Sequence, residues 1–432
     1  MEKIGVAIIG MGTVGTGVAK ILLDHGDRTA RHAGKTLWLT HAVVRNLTKD
    51  RGIDLPDGVL TDDVDKVIND PSVKVVVQLI GGVDEAKTVM LRLLENGKDV
   101  VTANKALMAQ HGPELFDKAR QLGRSIAFEA SVAGGIPIIT NISQCLSANQ
   151  ILSLNGILNG TSNYIITRMD LEGASYDDAV KEAQDLGYAE ADPAMDVDGT
   201  DAAQKLSILA HLAFGARVNW SDIPKRGIDK LESLDLKYAK ELGYRIKLIG
   251  ISRLTDEGLQ AVVGPMLVKN GTPLAEVRAN YNAISVDGDA VGPVFYHGQG
   301  AGQMPTASAV VADLIDTAVG RTAITFQTLE LWSDEANRIE MAAPGNLTGR
   351  FYLRFNVEDI PNVLAQIAGV LGKHDISIAS VIQHDNDLAD GVVPLVIITK
   401  ETRESDAESA IAEIEKLSCV KSKTERLRIL DA

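Results

Sequence analysis

Residues 187–206 gather Glu190, Asp192, Asp196, Asp198, Asp201 and Lys205 into one short stretch. Glycines and a proline punctuate its first part, which reads as a loop, and the apolar series Leu206, Ile208, Leu209, Leu212 and Phe214 reads as a helix after it. Thr200 stands where an N-cap would, and Asp201 falls in the first turn, where the helix dipole favours negative charge. Lys205 follows four residues later, on the same helical face and at the edge of the apolar stripe. A partly desolvated ammonium beside a carboxylate is a unit for moving protons near neutral pH. The same spacing also describes a surface ion pair worth roughly a few tenths of a kcal/mol. The elements around it have to decide between the two.

The first of those elements opens the chain. Residues 4–9 are a short, β-rich apolar run of the kind that forms a buried parallel strand. Gly10-Met11-Gly12-Thr13-Val14-Gly15 follows at once and leads into an amphipathic helical segment. G-x-G-x-x-G between a strand and a helix is a dinucleotide fingerprint. Gly10 permits the tight turn, Gly12 lets the backbone approach a pyrophosphate, and Gly15 allows close helix–strand packing. Thr13 and Val14 start the helix whose N-terminus would face the phosphates. The next strand, residues 37–44, ends at Arg45 with Lys49 close behind, where an NAD-specific fold usually carries an acid. A guanidinium there pairs with a 2′-phosphate, so NADP(H) is expected ahead of NAD(H), although a solvent-facing arginine would look the same.

Further along, residues 73–80 form another buried strand ending in Gly81, on the nicotinamide side of such a sheet. The strand 99–102 delivers Ala103-Asn104-Lys105 at its carboxyl end, which makes Lys105 a candidate active-site cation or simply a solvated lysine. A helix at 113–122 and a strand at 125–129 complete a doubly wound domain. Glu129 then enters a glycine-rich turn through Val132, Gly134 and Ile136. Turn carbonyls beside a carboxylate can hold a hard cation, but a structural turn needs the same glycines. Residues 151–164 read as a strand delivering a polar cluster, Gly160 and Thr161 included, into a helix. Strands at 245–251, 259–268 and 282–287 make the middle of the chain an α+β domain. A second glycine-rich loop, residues 297–306 with Gly300 and Gly302, opens a helix at 307–319; it either caps the cofactor or merely crosses back.

Composition narrows the function. At 432 residues several domains are expected, and no apolar run reaches the roughly 18 residues of a membrane helix. A net charge of −15 without a basic block disfavours nucleic acid and anionic membrane as partners. Two cysteines, Cys145 and Cys419, point to a reducing, cytoplasmic setting and leave too few ligands for a thiolate metal site. Cys145 lies in a helix-like run without an adjacent base and reads as a buried, inert thiol. After a charged, Pro/Gly-bearing linker at 333–349, residues 350–426 carry the order βαββα, with room for a last strand at 423–429; this is a ferredoxin-like pattern.

Together these motifs resemble homoserine dehydrogenase of the monofunctional bacterial type, and the resemblance covers essentially the whole chain. It rests on residues 10–15, Ala103-Asn104-Lys105, residues 128–137, residues 156–164, the stretch 187–206 and Gly300-Ala301-Gly302. The resemblance implies an α/β protein: a Rossmann-type domain at 1–136 completed by 300–332, an α+β substrate and dimerisation domain at 137–299, and an ACT domain at 350–426. It implies reversible hydride transfer between L-homoserine and L-aspartate 4-semialdehyde, on the route to threonine, methionine and isoleucine, in a homodimer or homotetramer. Lys205 would be the proton donor and acceptor, Asp201 its orienting carboxylate, and Lys105 the lysine between cofactor and substrate. Glu190 would face the substrate's amino end, with Asp196, Tyr188, Gly160 and Thr161 in the same binding region. A structural sodium or potassium ion would be held by Glu129 and the carbonyls of Val132, Gly134 and Ile136. The ACT loop departs from the family in one place, Asn362 standing where glycine is usual; asparagine tolerates positive φ, so the turn and a threonine response are still expected. Two rivals remain: a Rossmann reductase for another amino-acid aldehyde, and a non-catalytic amino-acid sensor.

Overall fold

A computed structural model describes residues 1–328, 339–384 and 391–430. The chain divides into two compact units, Met1–Gly160 with Asp201–Ile223 and Asn280–Glu340, and Thr161–Thr200 with Pro224–Ala279 and Met341–Ala432. In chain order the strands begin with β1 (Lys3–Ile9), β2 (Thr36–Val43), β3 (Leu60–Thr61), β4 (Val73–Gln78), β5 (Asp99–Thr102) and β6 (Ile126–Ala127). Next come β7 (Ile151–Ile157), β8 (Tyr244–Thr255), β9 (Gly258–Lys269), β10 (Tyr281–Gly288) and β11 (Gly292–Gln299). The last are β12 (Thr348–Glu358), β13 (Ile378–Gln383), β14 (Val392–Thr399), β15 (Thr402–Arg403) and β16 (Glu425–Leu430).

In the first unit β1 to β6 form a parallel sheet in the order β3-β2-β1-β4-β5-β6. Val6, Ala7 and Ile8 on β1 and Val75, Val76 and Val77 on β4 are all buried, so both faces of these strands need helical cover. The helices Thr13–Asp24 and Gln303–Ala318 supply part of it and pack closely where Gly17 lacks a side chain; a Cβ there would lie 2.9 Å from the Ala307 Cβ. The strand order reverses between β1 and β4, which opens a crevice at their carboxyl ends. The same unit carries a smaller antiparallel set, β7-β10-β11.

The second unit holds the strand run β8-β9-β16-β12-β14-β13, in which β16 runs parallel to β9 and the other neighbours are antiparallel. Within it β12, the helix Val363–Lys373, β13, β14, the helix Glu404–Ile414 and β16 give the expected ferredoxin-like order. Phe351, Leu353, Phe355, Ile367, Leu395, Ile397 and Ala410 fill its core. Asn362 takes φ 78°, the left-handed value that a glycine would adopt there. A buried polar knot joins β12 to the helix Ser233–Glu241: the Arg354 Nε donates to Asp235 Oδ1 at 2.6 Å and the Tyr352 hydroxyl donates to the same oxygen at 2.9 Å.

Several expectations are corrected. The helix expected at 113–122 begins at Lys105 and runs to Gln121 through Pro113, because Asn104 caps it by accepting from the Leu107 N–H at 3.0 Å. The strand expected at 125–129 is only Ile126–Ala127, and Glu129–Ser131 is a 3-10 turn. His297 and Gln299, read as loop, belong to β11, whose glycines and proline hid its alternation. Cys145 is exposed rather than buried, at the end of the short π-helical turn Asn141–Cys145. Of the stretch read as a linker, residues 333–338 lie outside the described residues, as do residues 329–332 of the segment expected to complete the Rossmann-type domain.

Candidate active site

The helix Thr200–Phe214 carries Asp201 in its first turn and Lys205 one turn later, with Ala202, Ala203, Leu206 and Leu209 buried beneath them. Thr200 is the first helical residue and not the cap: Asp198 supplies the capping oxygen, its Oδ1 accepting from the Thr200 N–H at 2.7 Å. Lys205 donates from Nζ to Asp201 Oδ2 at 2.8 Å and to the Leu158 carbonyl at 2.8 Å. Asn159, in the turn that follows β7, donates from Nδ2 to the same Asp201 oxygen at 2.8 Å. The other carboxylate oxygen is ion-paired with Lys105. Two ammonium groups thus share one carboxylate, and the cluster as a whole is positive.

Burial by itself pushes the Asp201 carboxyl up. The charges of Lys205 and Lys105 and their hydrogen bonds outweigh that burial and hold it well below the usual carboxylate range. The Asp201 side chain is 3% exposed, Lys205 12% and Lys105 36%, so one cation is enclosed and the other reaches water.

Lys105 owes its place to the carboxyl edge of the parallel sheet. The Thr102 hydroxyl donates to Gln78 Oε1 at 3.0 Å, linking β5 to β4, and accepts from the Asn104 N–H at 3.1 Å. Asn104 then donates from Nδ2 to the carbonyls of Ile80 and Gly82, at 3.0 and 2.6 Å. At the same edge Gly10 has φ 103° and no room for a side chain, since a Cβ would sit 2.8 Å from the Leu79 carbonyl oxygen. Around Gly12 there is open space, nothing lying within 4 Å of a built Cβ. Gly15 packs directly on the Gly10 carbonyl, and Thr13 and Val14 begin the helix Thr13–Asp24. The turn therefore offers bare backbone at a helix N-terminus, which suits a pyrophosphate.

Comparison with known proteins identifies the family. Residues 137–315 match the family model described as homoserine dehydrogenase, residues 10–129 the homoserine dehydrogenase NAD-binding domain, and residues 351–419 the ACT domain. The chain is 42% identical to a homoserine dehydrogenase of Pseudomonas aeruginosa, over 99% of each chain. It superposes on the crystal structure of a homoserine dehydrogenase from Thiobacillus denitrificans with a TM-score of 0.93, at 41% identity, covering 100% of this chain and 99% of that one. The chain belongs to the homoserine dehydrogenase family. A hyperthermophilic archaeal homoserine dehydrogenase in complex with NADPH is a more distant neighbour, with a TM-score of 0.61 and 26% identity over 73% of this chain and 97% of that one.

Like these relatives the chain is an oxidoreductase, and it carries a C-terminal ACT domain. Arg45 is 84% exposed and ion-paired with Glu85. Gly81 faces open space, and Gly302, with φ 120°, opens the helix Gln303–Ala318. Gly300 lies against Asn282, a buried residue whose Nδ2 lacks a hydrogen-bond partner among the described residues; Gly160 approaches the same amide, a Cβ there falling 3.1 Å from Asn282 Oδ1. In the second unit the Thr161 hydroxyl donates to the Tyr188 carbonyl at 2.6 Å, and the Ser162 hydroxyl donates to the Asp196 carbonyl at 2.7 Å. Glu190 and Tyr188 are exposed there. Thus Asp201, Lys205 and Lys105 converge within one unit, while Tyr188, Glu190 and Asp196 belong to the other.

Glu129 is buried, and burial raises its carboxyl pKa against the pull of its donors. Its Oε1 accepts from the Ile139 N–H at 2.8 Å, and its Oε2 accepts from the Thr140 N–H at 2.8 Å and the Thr140 hydroxyl at 2.6 Å. Oε1 therefore keeps a lone pair. Val132, Gly134 and Ile136, whose carbonyls were expected beside it, follow in the next few residues, where the Ile136 carbonyl accepts from the Ile138 N–H at 2.7 Å. Asn159 and Asn282 went unnoticed in the sequence as site residues: Asn159 follows β7 and Asn282 lies on β10, and both strands carry other polar residues that hide them.

Proposed function

We propose that the chain interconverts L-homoserine and L-aspartate 4-semialdehyde with NADP(H) as the preferred cofactor. The observation that carries this reading is the shared carboxylate, with Lys205 and Lys105 both held on Asp201. A bound nicotinamide would supply or take up the hydride, its pyrophosphate held by the bare backbone of Gly10, Gly12 and Gly15. In the reducing direction the Lys205 ammonium gives its proton to the aldehyde oxygen as that oxygen becomes a hydroxyl. In the oxidising direction the Lys205 amine takes the hydroxyl proton. Asp201 and the Leu158 carbonyl fix the direction in which Nζ points, and Asn159 fixes Asp201 in turn. Lys105 keeps the cluster positive, which stabilises negative charge developing on the substrate oxygen.

Glu190 and Asp196 are assigned to the substrate, with Glu190 toward its amino group, supported by their place in the acidic loop ahead of the catalytic helix. Arg45 is assigned to the 2′-phosphate, supported by its position after β2 and its exposure. A sodium or potassium ion is assigned to Glu129 and the carbonyls of Val132, Gly134 and Ile136, supported by the buried Glu129 carboxylate, whose Oε1 accepts a single hydrogen bond. Threonine feedback through the ACT module is supported by the positive φ of Asn362. Homo-oligomeric assembly and a cytoplasmic site complete the reading.

The deciding test is Lys205→Ala, assayed by absorbance with homoserine and NADP+ at alkaline pH and by equilibrium binding of NADPH. The expected result is a kcat lower by about 10² to 10⁴-fold with NADPH affinity retained. Turnover near the parent rate would remove Lys205 from the mechanism.

A further inference from the structure

The acidic loop ahead of the catalytic helix is not held by its own residues alone. Within the second unit the Ile228 N–H donates to the Val197 carbonyl at 2.8 Å. Gly227 is pressed so closely against Val197 and Asp198 that a Cβ at residue 227 would lie 2.7 Å from the Asp198 Cα. Gly199, with φ 86°, packs over the backbone of Arg226, its built Cβ lying 3.4 Å from the Arg226 carbonyl oxygen. The loop containing Asp196 and Asp198 therefore rests on the backbone of residues 226–228. That backbone is itself pinned to β9, the Arg226 N–H donating to the Val263 carbonyl at 3.0 Å and the Val263 N–H to the Pro224 carbonyl at 3.0 Å. The Arg226 side chain continues into the C-terminal module. Its Nη1 donates to the Arg426 carbonyl at 2.5 Å, and its Nη2 pairs with Glu425, both on β16.

We propose that Arg226 is a positioning residue that fastens the substrate loop to strand β16 of the ACT module, so that displacement of β16 changes substrate affinity. The guanidinium fork binds a carbonyl and a carboxylate of one strand at the same time, which a single ammonium cannot reproduce. The main chain of residues 226–228 is the floor on which Val197, Asp198 and Gly199 sit. Asp198 in turn caps the helix whose second residue is Asp201. This inference rests on the reading of residues 187–199 as the substrate loop.

The test compares the full-length parent with Arg226→Ala, Arg226→Lys, Glu425→Gln and Glu190→Gln, measuring KM for homoserine, kcat, the Kd of NADPH and the thermal midpoint. Arg226→Ala is expected to raise the homoserine KM by about 10-fold with kcat and the NADPH Kd within about twofold, and Arg226→Lys to recover part of the loss. If Arg226→Ala leaves KM unchanged while Glu190→Gln raises it, the fastening role is overturned and the substrate loop stands. If neither variant moves KM, the loop reading falls and takes this inference with it. A raised KM accompanied by a fall in both kcat and thermal midpoint overturns it as well, because that pattern marks a general structural role. Should Arg226→Ala fail to fold, Glu425→Gln decides by the same criteria, with an expected rise in KM of about threefold.

Discussion

Asp201→Asn isolates the charge at the centre of the site while keeping its shape. In the parent that carboxylate, 3% exposed, answers two ammonium groups and one amide. Removing one partner of a buried ion pair costs about 3–5 kcal/mol. Lys105, 36% exposed, turns to water at little cost, whereas Lys205 at 12% has less freedom, so a destabilisation of about 3 kcal/mol is expected. The effect on turnover is larger in relative terms: an amide offers one neutral oxygen where Lys205, Lys105 and Asn159 had a charged pair, so Nζ is aimed less firmly beside the Leu158 carbonyl, and kcat should fall about 10² to 10³-fold. The pH dependence carries a sign. Because the folded-state pKa of Asp201 is depressed from its ordinary 3.8, its contribution is fully present above that value and is lost as pH falls towards the folded pKa. Denaturant unfolding should therefore show the variant's deficit at neutral pH narrowing near about pH 3. A variant with kcat within twofold of the parent, and the same stability difference at both pH values, would refute the shared-carboxylate account.

Two further outcomes follow from other parts of the molecule. Arg45→Ala should lower the NADP/NAD ratio of kcat/KM by about 10- to 100-fold, and an unchanged ratio would free Arg45 of any phosphate role. Lys247, 3% exposed and donating to Asn163 Oδ1 at 3.0 Å, has its pKa lowered by burial to about 8. The native state then binds fewer protons than the unfolded chain between about pH 8 and 10.5, so stability should climb across that window by about 3 kcal/mol relative to Lys247→Met. Parallel stability profiles for parent and variant would show that the buried amine is not the cause.

What the sequence disclosed was local. The glycine turn at 10–15 and the Asp201–Lys205 pair are defined by spacings of a few residues, and backbone sterics translate such spacings directly into geometry. Contacts between distant segments were beyond reach. Nothing near Lys105 announces Asp201, and nothing near Asn159 announces that its amide will anchor the same carboxylate; both depend on how strands and helices are stacked. The pairing of Arg45 with Glu85 was hidden for the same reason. Errors in element bounds also have physical causes. Pro113 suggested a helix start, but a proline can be carried inside a helix whose cap, Asn104, lies earlier. β11 holds Gly292, Pro293 and Gly298 and shows little hydrophobic alternation, yet main-chain pairing with β10 is enough to define it. Cys145 followed an apolar pattern that the short π-helical turn rotates outward.

Strand β16 also bears on the order of assembly. It is the latest strand among the described residues, yet it lies between β9 and β12, with both of its edges in use. During synthesis the earlier strands of this sheet emerge with β12 and residues 266–268 of β9 each presenting an open edge, exposed to mispairing until residues 425–430 arrive to bridge them. A shortened message that stops before residue 425 would thus yield two unjoined half-sheets, and the cell would meet them as aggregation-prone chains rather than as an enzyme lacking only its final strand.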